Sequence, residues 1–403
     1  MKQAHKILNE YSAQVVGFCF VGQDGPVALP PVPAPADLER LTTRAVAAFE
    51  RSDRGYLLLL GLGSAALANA LAQRLPAGSV LVFEHDLPLV RALRDDKRLE
   101  WWREGATAGL AAGLAADTSP WALFFLLDRA GVTLQDVLVL PNPELPPRAK
   151  AAHKPLELLL TRSRALALPH APPRPRLTAA AILAPSEPDL QEFFAQFPDW
   201  LDELVLVWDA ETLPEIAVPQ GIPVRQSARP LGADFSAQRN AMLAACSGDW
   251  VLYLDADERL SPAAWAALPA LCAMPEVSAW HFPRLSPYPD AENAITGFGL
   301  WPDVQLRLFR NAPGVSFVNP VHERLTGISG VQALALNVEI EHLSRLRKGV
   351  DDLRRKLVGF DEAGAGFVRH ALSLEYPSQP RGILAARIAD EGPRCLLLPP
   401  EFG

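Results

Sequence analysis

DFSAQRNAMLAACSGDWVLYLDADE, residues 234–258, decides how the second half of this chain folds. It reads as a helix over DFSAQRNAMLAACS, a break at Gly248, and an apolar strand, DWVLYLDADE, that ends in acid. Open α/β sheets bind ligands beyond the carboxyl ends of their strands. Asp255 and Asp257 are two residues apart, and on an extended backbone that spacing points both the same way. Two carboxylates about 4 Å apart repel by roughly 4 kcal/mol at an effective dielectric of 20. A proton, an arginine or a divalent cation must offset this. Oxygen donors suit Mg²⁺ or Mn²⁺, and Mg²⁺ typically combines one or two carboxylates with substrate phosphates. The plain alternative is that these acids cap the next helix or solvate a turn, because a bare Asp-x-Asp is a weak signal.

The flanks continue the α/β pattern. TAAAILAP predicts a strand ending at Pro185, residues 188–203 an amphipathic helix, and ELVLVWD a strand ending at Asp209. PVRQ reads as a short strand. After the acidic strand comes the helix SPAAWAALPALC, with Ser261 as N-cap and Pro262 at its first position. Beyond Ala279 the pattern shifts to short strands and turns.

Residues 234–258 resemble the block before the metal site of the inverting GT-A-fold glycosyltransferase family two, in its lipopolysaccharide-core and cell-surface glycan branch. There a helix with Ser/Ala-x-x-Arg-Asn precedes Gly-Asp/Glu-Trp, a hydrophobic strand and Asp-x-Asp-Glu. The matching residues are Ser236, Arg239, Asn240, Gly248, Asp249, Trp250, Asp255, Asp257 and Glu258. RLFRN at 307–311, Val-His-Glu at 321–323 and IEH at 340–342 follow in the order the family shows.

The resemblance implies a sugar transferred from a nucleoside-diphosphate donor to a hydroxyl of a bacterial cell-surface glycan, a lipid-linked saccharide or a protein, with inversion. It implies a Mg²⁺ or Mn²⁺ ion held by Asp255 and Asp257, with His342 completing the shell. Arg239 would contact phosphate or orient Asp255. Asp209 and Glu187 would stand at the nucleotide. Glu323 is the candidate general base and Asp303 the runner-up. His322 would position the acceptor or assist the metal, and Trp280 and Trp301 are candidates to stack on a sugar, although a buried packing role is the commoner one. The sequence departs from the family after the first strand, where APSEPD leaves only Glu187 as an acid, and after Asp209, where AETLPEIA is short and lacks a glycine. A degenerate transferase serving as a binding or assembly module is therefore a second expectation.

The first half reads as a Rossmann-like, doubly wound domain. YLLLL at 56–60 is a continuous apolar run, as a strand buried on both faces should be. A glycine turn at 61–64, a helix, the strand SVLVFEHD carrying Glu84, and a later strand DVLVLPNP follow. GLGSAAL with Glu84 resembles two things. One is a nucleoside-binding methyltransferase, which makes S-adenosylmethionine chemistry a third expectation. The other, which LVFEHDLPLVRAL favours, is the Rossmann-like core of motility accessory factor-type proteins.

Proline clusters at 29–37, 141–147 and 169–176 punctuate the chain, since proline removes a backbone donor and fixes φ. They suggest a Rossmann-like domain over 1–147, a helix and linker over 148–177, a GT-A domain over 178–375 and a proline-rich tail over 376–403. A chain of 403 residues accommodates two or three domains at roughly 100–200 residues each. The net charge of −8 argues against a nucleic-acid backbone as partner. The four cysteines have no metal-ligand spacing and read as free thiols. No signal-peptide core opens the chain, and the apolar run 56–75 is broken by Gly61, Gly63, Asn69 and Gln73. The expectation is a cytoplasmic protein, with possible docking at the inner face of the membrane.

Overall fold

The computed structural model describes residues 2–18, 27–99, 101–102, 112–169, 174–232, 234–320, 323–347, 376–385, 388 and 392–402. The chain is mixed α/β. It divides into two compact units: unit 1 comprises Met1–Ser163, Glu292–Asp303 and Glu375–Leu384, and unit 2 comprises Arg164–Ala291, Val304–Leu374 and Ala385–Gly403. The sequence reading drew consecutive domains, whereas these units interleave. The helix expected as a linker belongs to unit 1, and so do two later segments of the chain.

The first part of the chain contains α1 (Lys2–Gly17), α2 (Pro35–Arg51), β1 (Tyr56–Leu60), α3 (Ala66–Arg74), β2 (Val80–Glu84) and α4 (Leu87–Asp95). It continues with β3 (Ala112–Ala116), α5 (Pro120–Arg129), β4 (Val137–Pro141) and α6 (Pro147–Arg162). The four strands form one parallel sheet in the order β3-β2-β1-β4. The chain thus winds outward from β1 through β2 to β3, then crosses back to place β4 on the other side of β1. That reversal is the switch point of a doubly wound sheet.

Strand β3 was not foreseen, because AGLAA carries little apolar bulk. Helix α1 holds it: Leu114 N–H donates to Asn9, Ala116 N–H donates to Ser12 Oγ, and Ser12 Oγ donates to the Leu114 carbonyl. Side chains of a helix thereby satisfy an edge that would otherwise be open.

The rest of the chain gives β5 (Arg164–Leu166), β6 (Leu177–Leu183), α7 (Leu190–Ala195), β7 (Glu203–Trp208), β8 (Val224–Ala228), α8 (Phe235–Ala245), β9 (Trp250–Tyr253) and β10 (Glu258–Leu260). Then come α9 (Pro262–Cys272), β11 (Val277–Phe282), β12 (Arg284–Leu285), β13 (Asn293–Ile295), β14 (Gln305–Arg310), β15 (Ser316–Val318), β16 (Arg324–Thr326), β17 (Val331–Ala335), β18 (Ile340–His342), β19 (Ser378–Pro380) and β20 (Cys395–Leu397). Strands β13 and β19 pair with each other and belong to unit 1.

Unit 2 is built on a nine-stranded mixed sheet, β5-β20-β17-β11-β14-β9-β6-β7-β8. Its β9-β6-β7-β8 section is parallel, so the chain after β6, β7 and β9 emerges at one edge. Helix α9 starts as expected, with Ser261 Oγ accepting from Ala264 N–H and a proline in the first turn. Helix α7 is far shorter than expected. Asp189 at its start has φ 57°, and Pro198 follows its last turn. Trp208, Trp250, Trp280 and Phe193 are among the fully buried side chains of this unit. Cys246, Cys272 and Cys395 are free thiols, and Cys19 lies outside the described residues.

Candidate functional site

Strand β9 ends at Tyr253, earlier than the sequence suggests. Asp255 to Glu258 then form a turn closed by Glu258 N–H donating to the Asp255 carbonyl at 2.9 Å. The expectation that Asp255 and Asp257 share a direction on extended backbone is therefore corrected, because the backbone between them is not extended. The turn sends the chain into β10, which belongs to a separate three-stranded sheet, β10-β18-β12. That sheet places Glu258 opposite His342 and Arg284 beside Ile340. The turn and the small sheet together gather one dense cluster of charge.

Asp255 sits between two arginines. Its Oδ1 accepts from Arg239 Nη2 at 2.8 Å, and its Oδ2 accepts from Arg307 Nη2 at 2.6 Å. Arg307 Nη2 also donates to Glu258 Oε1 at 2.6 Å, and Arg284 Nη1 donates to the same oxygen at 2.8 Å. Glu258 Oε2 accepts from Asp255 N–H. Arg239 Nε donates to Glu323 Oε1. Tyr253 lies under both guanidiniums, with Arg307 Cζ 4.6 Å and Arg239 Cζ 4.9 Å from its ring centre. Burial opposes the charge on Asp255, but Arg307 and Arg239 overcome it and hold this carboxyl well below the usual carboxylate range. Of the three ways to relieve the two aspartates, arginine is the one realised at Asp255.

Asp257 faces a different neighbour. Its Oδ1 lies 3.5 Å from His342 Nε2, while His342 Nδ1 is 3.1 Å from Ser286 Oγ. Burial, with Arg284 adding to it, pushes the His342 imidazole down, against the pull of Asp257, Glu258 and Asp255. A neutral imidazole is the form that binds a metal.

The donor set can be tested against a divalent ion. Among the described residues no group of three His, Cys, Asp or Glu side chains comes together to hold one. The three-ligand shell of Asp255, Asp257 and His342 is therefore not assembled, since both Asp255 oxygens are engaged by guanidiniums. Two donors that share an ion at about 2.1 Å each lie within about 4.2 Å of one another. The Asp257–His342 separation meets that limit. Arg239, Arg284 and Arg307 are paired with Asp255, Glu258 and Glu323, and buried Arg259 donates to the Ala256 and Glu258 carbonyls of the same turn, so four arginines stand against the four carboxylates at 255, 257, 258 and 323. Arg239 Nη1 and Arg307 Nε are buried donors without a hydrogen-bond partner.

Other expected residues fall as follows. Asp209 follows β7, and its Oδ1 accepts from Leu231 N–H at 2.7 Å. Glu187 lies in the turn after β6, at the same sheet edge. Asp303 falls in the 292–303 segment of unit 1. His322 lies outside the described residues. Trp280 is fully buried and donates to the Leu271 carbonyl, and Trp301 is buried against Tyr11 and Phe125. Both tryptophans pack cores, which removes them as sugar platforms. Arg307 and Arg284 were given no role from sequence. Nothing in RLFRN at 307–311 marks Arg307 as the partner of two acids.

No family model matches the chain. A curated relative, a TPR repeat-containing protein of Synechococcus elongatus, is 36% identical over 137 residues. That match covers 33% of this chain, and the chain spans about a third of the relative, 31%. Among solved structures, S. aureus TarS 1-349 matches at 13% identity and a TM-score of 0.30, covering 49% of this chain and 67% of that one. The same protein in complex with UDP-GlcNAc matches at 17% identity and a TM-score of 0.26, covering 29% and 36%. Likeness at such scores does not define a fold. No described helix is long and apolar enough to cross a membrane.

Proposed function

We propose that unit 2 is a metal-dependent, inverting glycosyltransferase of GT-A type that uses a nucleoside-diphosphate sugar and glycosylates a hydroxyl of a cell-surface glycan, a lipid-linked saccharide or a protein. The observation that carries the reading is the approach of His342 to Asp257 at the carboxyl edge of a parallel sheet. In this reading Asp257 and His342 would hold Mg²⁺ or Mn²⁺. Such an ion supplies Lewis-acid stabilisation of the leaving diphosphate.

The chain's own groups have the remaining tasks. Arg239 and Arg307 fix Asp255 and keep the turn in shape. Asp209 and Glu187 stand where the nucleoside would lie. Glu323 takes the proton of the acceptor hydroxyl as that oxygen bonds to the anomeric carbon, and the bond from that carbon to the donor phosphate breaks. Attack opposite the leaving group inverts the sugar.

Calorimetric titration of UDP tests this. Binding should appear with Mn²⁺, vanish with EDTA, and weaken at least tenfold in Asp257→Ala. Equal affinity with and without Mn²⁺ would exclude the metal role.

The commitment of both Asp255 oxygens to arginine favours a second reading, a degenerate transferase that binds without turnover. Release of a glycoside product from any UDP-, GDP-, ADP- or CMP-sugar would exclude it.

A further inference from the structure

The three-stranded sheet beside the Asp255–Glu258 turn brings one further residue to the candidate metal pair. Strand β18 is its middle strand, so His342 has a neighbour on each side. Across β10 the register partner of His342 is Glu258. Across β12 the parallel ladder pairs Arg284 with Ile340 and Leu285 with Glu341, and one step further along both chains brings Ser286 level with His342.

The two neighbours are not equivalent. Glu258 is already spent: its Oε1 accepts from Arg284 and Arg307, and its Oε2 accepts from Asp255 N–H. Ser286 meets the ring instead, with its Oγ 3.1 Å from His342 Nδ1. Arg284 and Ser286, two residues apart, thus serve the register partners Glu258 and His342. Ser286 stands in RLSPYP at 284–289, a stretch that reads from sequence only as a turn.

A neutral imidazole has one hydrogen and two nitrogens to hold it. On Nδ1 the hydrogen points at Ser286 Oγ, at a separation inside the usual range of about 2.7–3.2 Å for an N–H···O bond. On Nε2 it points at Asp257 Oδ1, which at 3.5 Å lies beyond that range. The two placements have opposite consequences. A hydrogen on Nε2 leaves no lone pair on the side of Asp257. A hydrogen on Nδ1 turns the Nε2 lone pair toward a carboxylate oxygen, and two acceptors so placed are reconciled by a cation. A serine hydroxyl can accept the Nδ1 hydrogen, which a lysine or arginine in its place could not.

We propose that Ser286 is a positioning residue of the metal site: it accepts the Nδ1 hydrogen of His342 and thereby presents the Nε2 lone pair to the ion beside Asp257. The inference rests on the reading of Asp257 and His342 as metal ligands. A ligating histidine almost always donates its other ring N–H to such a partner, and loss of the partner typically costs about 10–100-fold in metal affinity.

The test has two readouts on the full chain. The first needs no metal. Nitrogen-15 spectra of the histidine-labelled, metal-free protein at about pH 8, where an imidazole is ordinarily neutral, report which ring nitrogen carries the hydrogen, and His342→Gln identifies the signal. Wild type should show the Nδ1–H form. Ser286→Ala should shift the ring toward the Nε2–H form, and Ser286→Thr, which keeps the hydroxyl, should not. The second readout is calorimetric titration of UDP with Mn²⁺. Ser286→Ala should weaken binding about tenfold or more at an unchanged melting temperature, and Ser286→Thr should restore it. An Nε2–H ring in wild type, or an alanine variant with the wild-type spectrum and affinity, overturns the proposal. Absence of Mn²⁺-dependent UDP binding in wild type would overturn the metal reading rather than the assignment of the ring to Ser286, which the nitrogen spectra decide on their own.

Discussion

The two units carry acids at the same place in their architecture, the carboxyl edge of a parallel sheet, and use them in opposite ways. In unit 1 Glu84 and Glu144 accept from backbone amides of the turns beside them, so their charge is absorbed by the fold. In unit 2 Asp255, Glu258 and Glu323 are matched by arginine side chains that arrive from distant elements, and Asp257 lies beside His342. An acid consumed by local amides builds a turn. Acids held by arginines from distant elements tie those elements together. The difference lies in who satisfies the carboxylate, and an acid at the end of a strand does not disclose that by itself.

The largest expected effect breaks the network in unit 2. Arg307 touches Asp255 and Glu258 together and is buried. Arg307→Met keeps most of the bulk and removes the charge, leaving Asp255 to Arg239 and Glu258 to Arg284 alone. Breaking a buried pair by removing one partner typically costs about 3–5 kcal/mol. Thermal unfolding should show unit 2 melting many degrees lower, and a shift of only a degree or two would mean the network is not load-sharing.

A smaller effect sharpens the comparison through pH. Asp117, just beyond β3 in unit 1, accepts from Tyr11 Oη at 2.6 Å, yet burial outweighs this and pushes its carboxyl up to about 6. Its folded value thus exceeds its unfolded value near 3.9. The stability it supplies is complete below about pH 4 and is lost as pH rises through 6. A shift of about two units corresponds to about 3 kcal/mol. Asp117→Asn should therefore gain about that much relative to wild type between pH 4 and pH 7, read as the difference of two melting curves. Loss of the Tyr11 bond displaces the variant's whole curve and leaves that slope intact. His85, pushed down to about 4 mainly by burial, slopes the other way in both proteins and cancels in the difference. Asp255, held low by its arginines, has the opposite sign: its contribution is present above about pH 4 and is lost only as the pH falls below that.

The sequence made β1, β2, β4, β6 and β7 legible, since each is a continuous apolar run bounded by turn residues. It hid what depends on partners far along the chain. AGLAA becomes a strand by pairing with β2 on one side and meeting Asn9 and Ser12 of α1 on the other. The run through Leu254 looks extended to the second aspartate, but the strand stops at Tyr253, where the Asp255–Glu258 turn begins. At the site, Asp255, Asp257, Arg239 and His342 could be named from their motifs. Arg307 and Arg284 could not be given roles, because an arginine in a strand announces no partner until the strands are ordered. Trp280 and Trp301 take the commoner, buried role, which an aromatic ring in a sequence does not distinguish from a face for a ligand.

The smallest effect tests the claim that unit 1 spends its acids on its own turns. Glu144 reaches back to the start of α3, where its oxygens accept from Ser64 Oγ and Leu67 N–H. Three constraints meet there. Gly63 has φ 55° and would press a Cβ against Glu144 and Asn142. Ala65 sits at the N-cap with φ 69° and has no side chain able to cap. The first amides of a helix lack partners within it. Glu144 therefore does from a distance what a serine or aspartate at the cap would do locally, and it sets a negative charge against the positive end of the helix. Losing such a cap costs about 1 kcal/mol, within about 0.5–2. Glu144→Ala should lower the urea midpoint by that modest amount, and Glu144→Gln, which keeps an acceptor but not the charge, should lie between it and wild type. If alanine and glutamine cost the same, charge rather than hydrogen bonding holds the turn. If neither costs anything, solvent satisfies these amides equally well, and the contrast between the two edges rests on Glu84 alone.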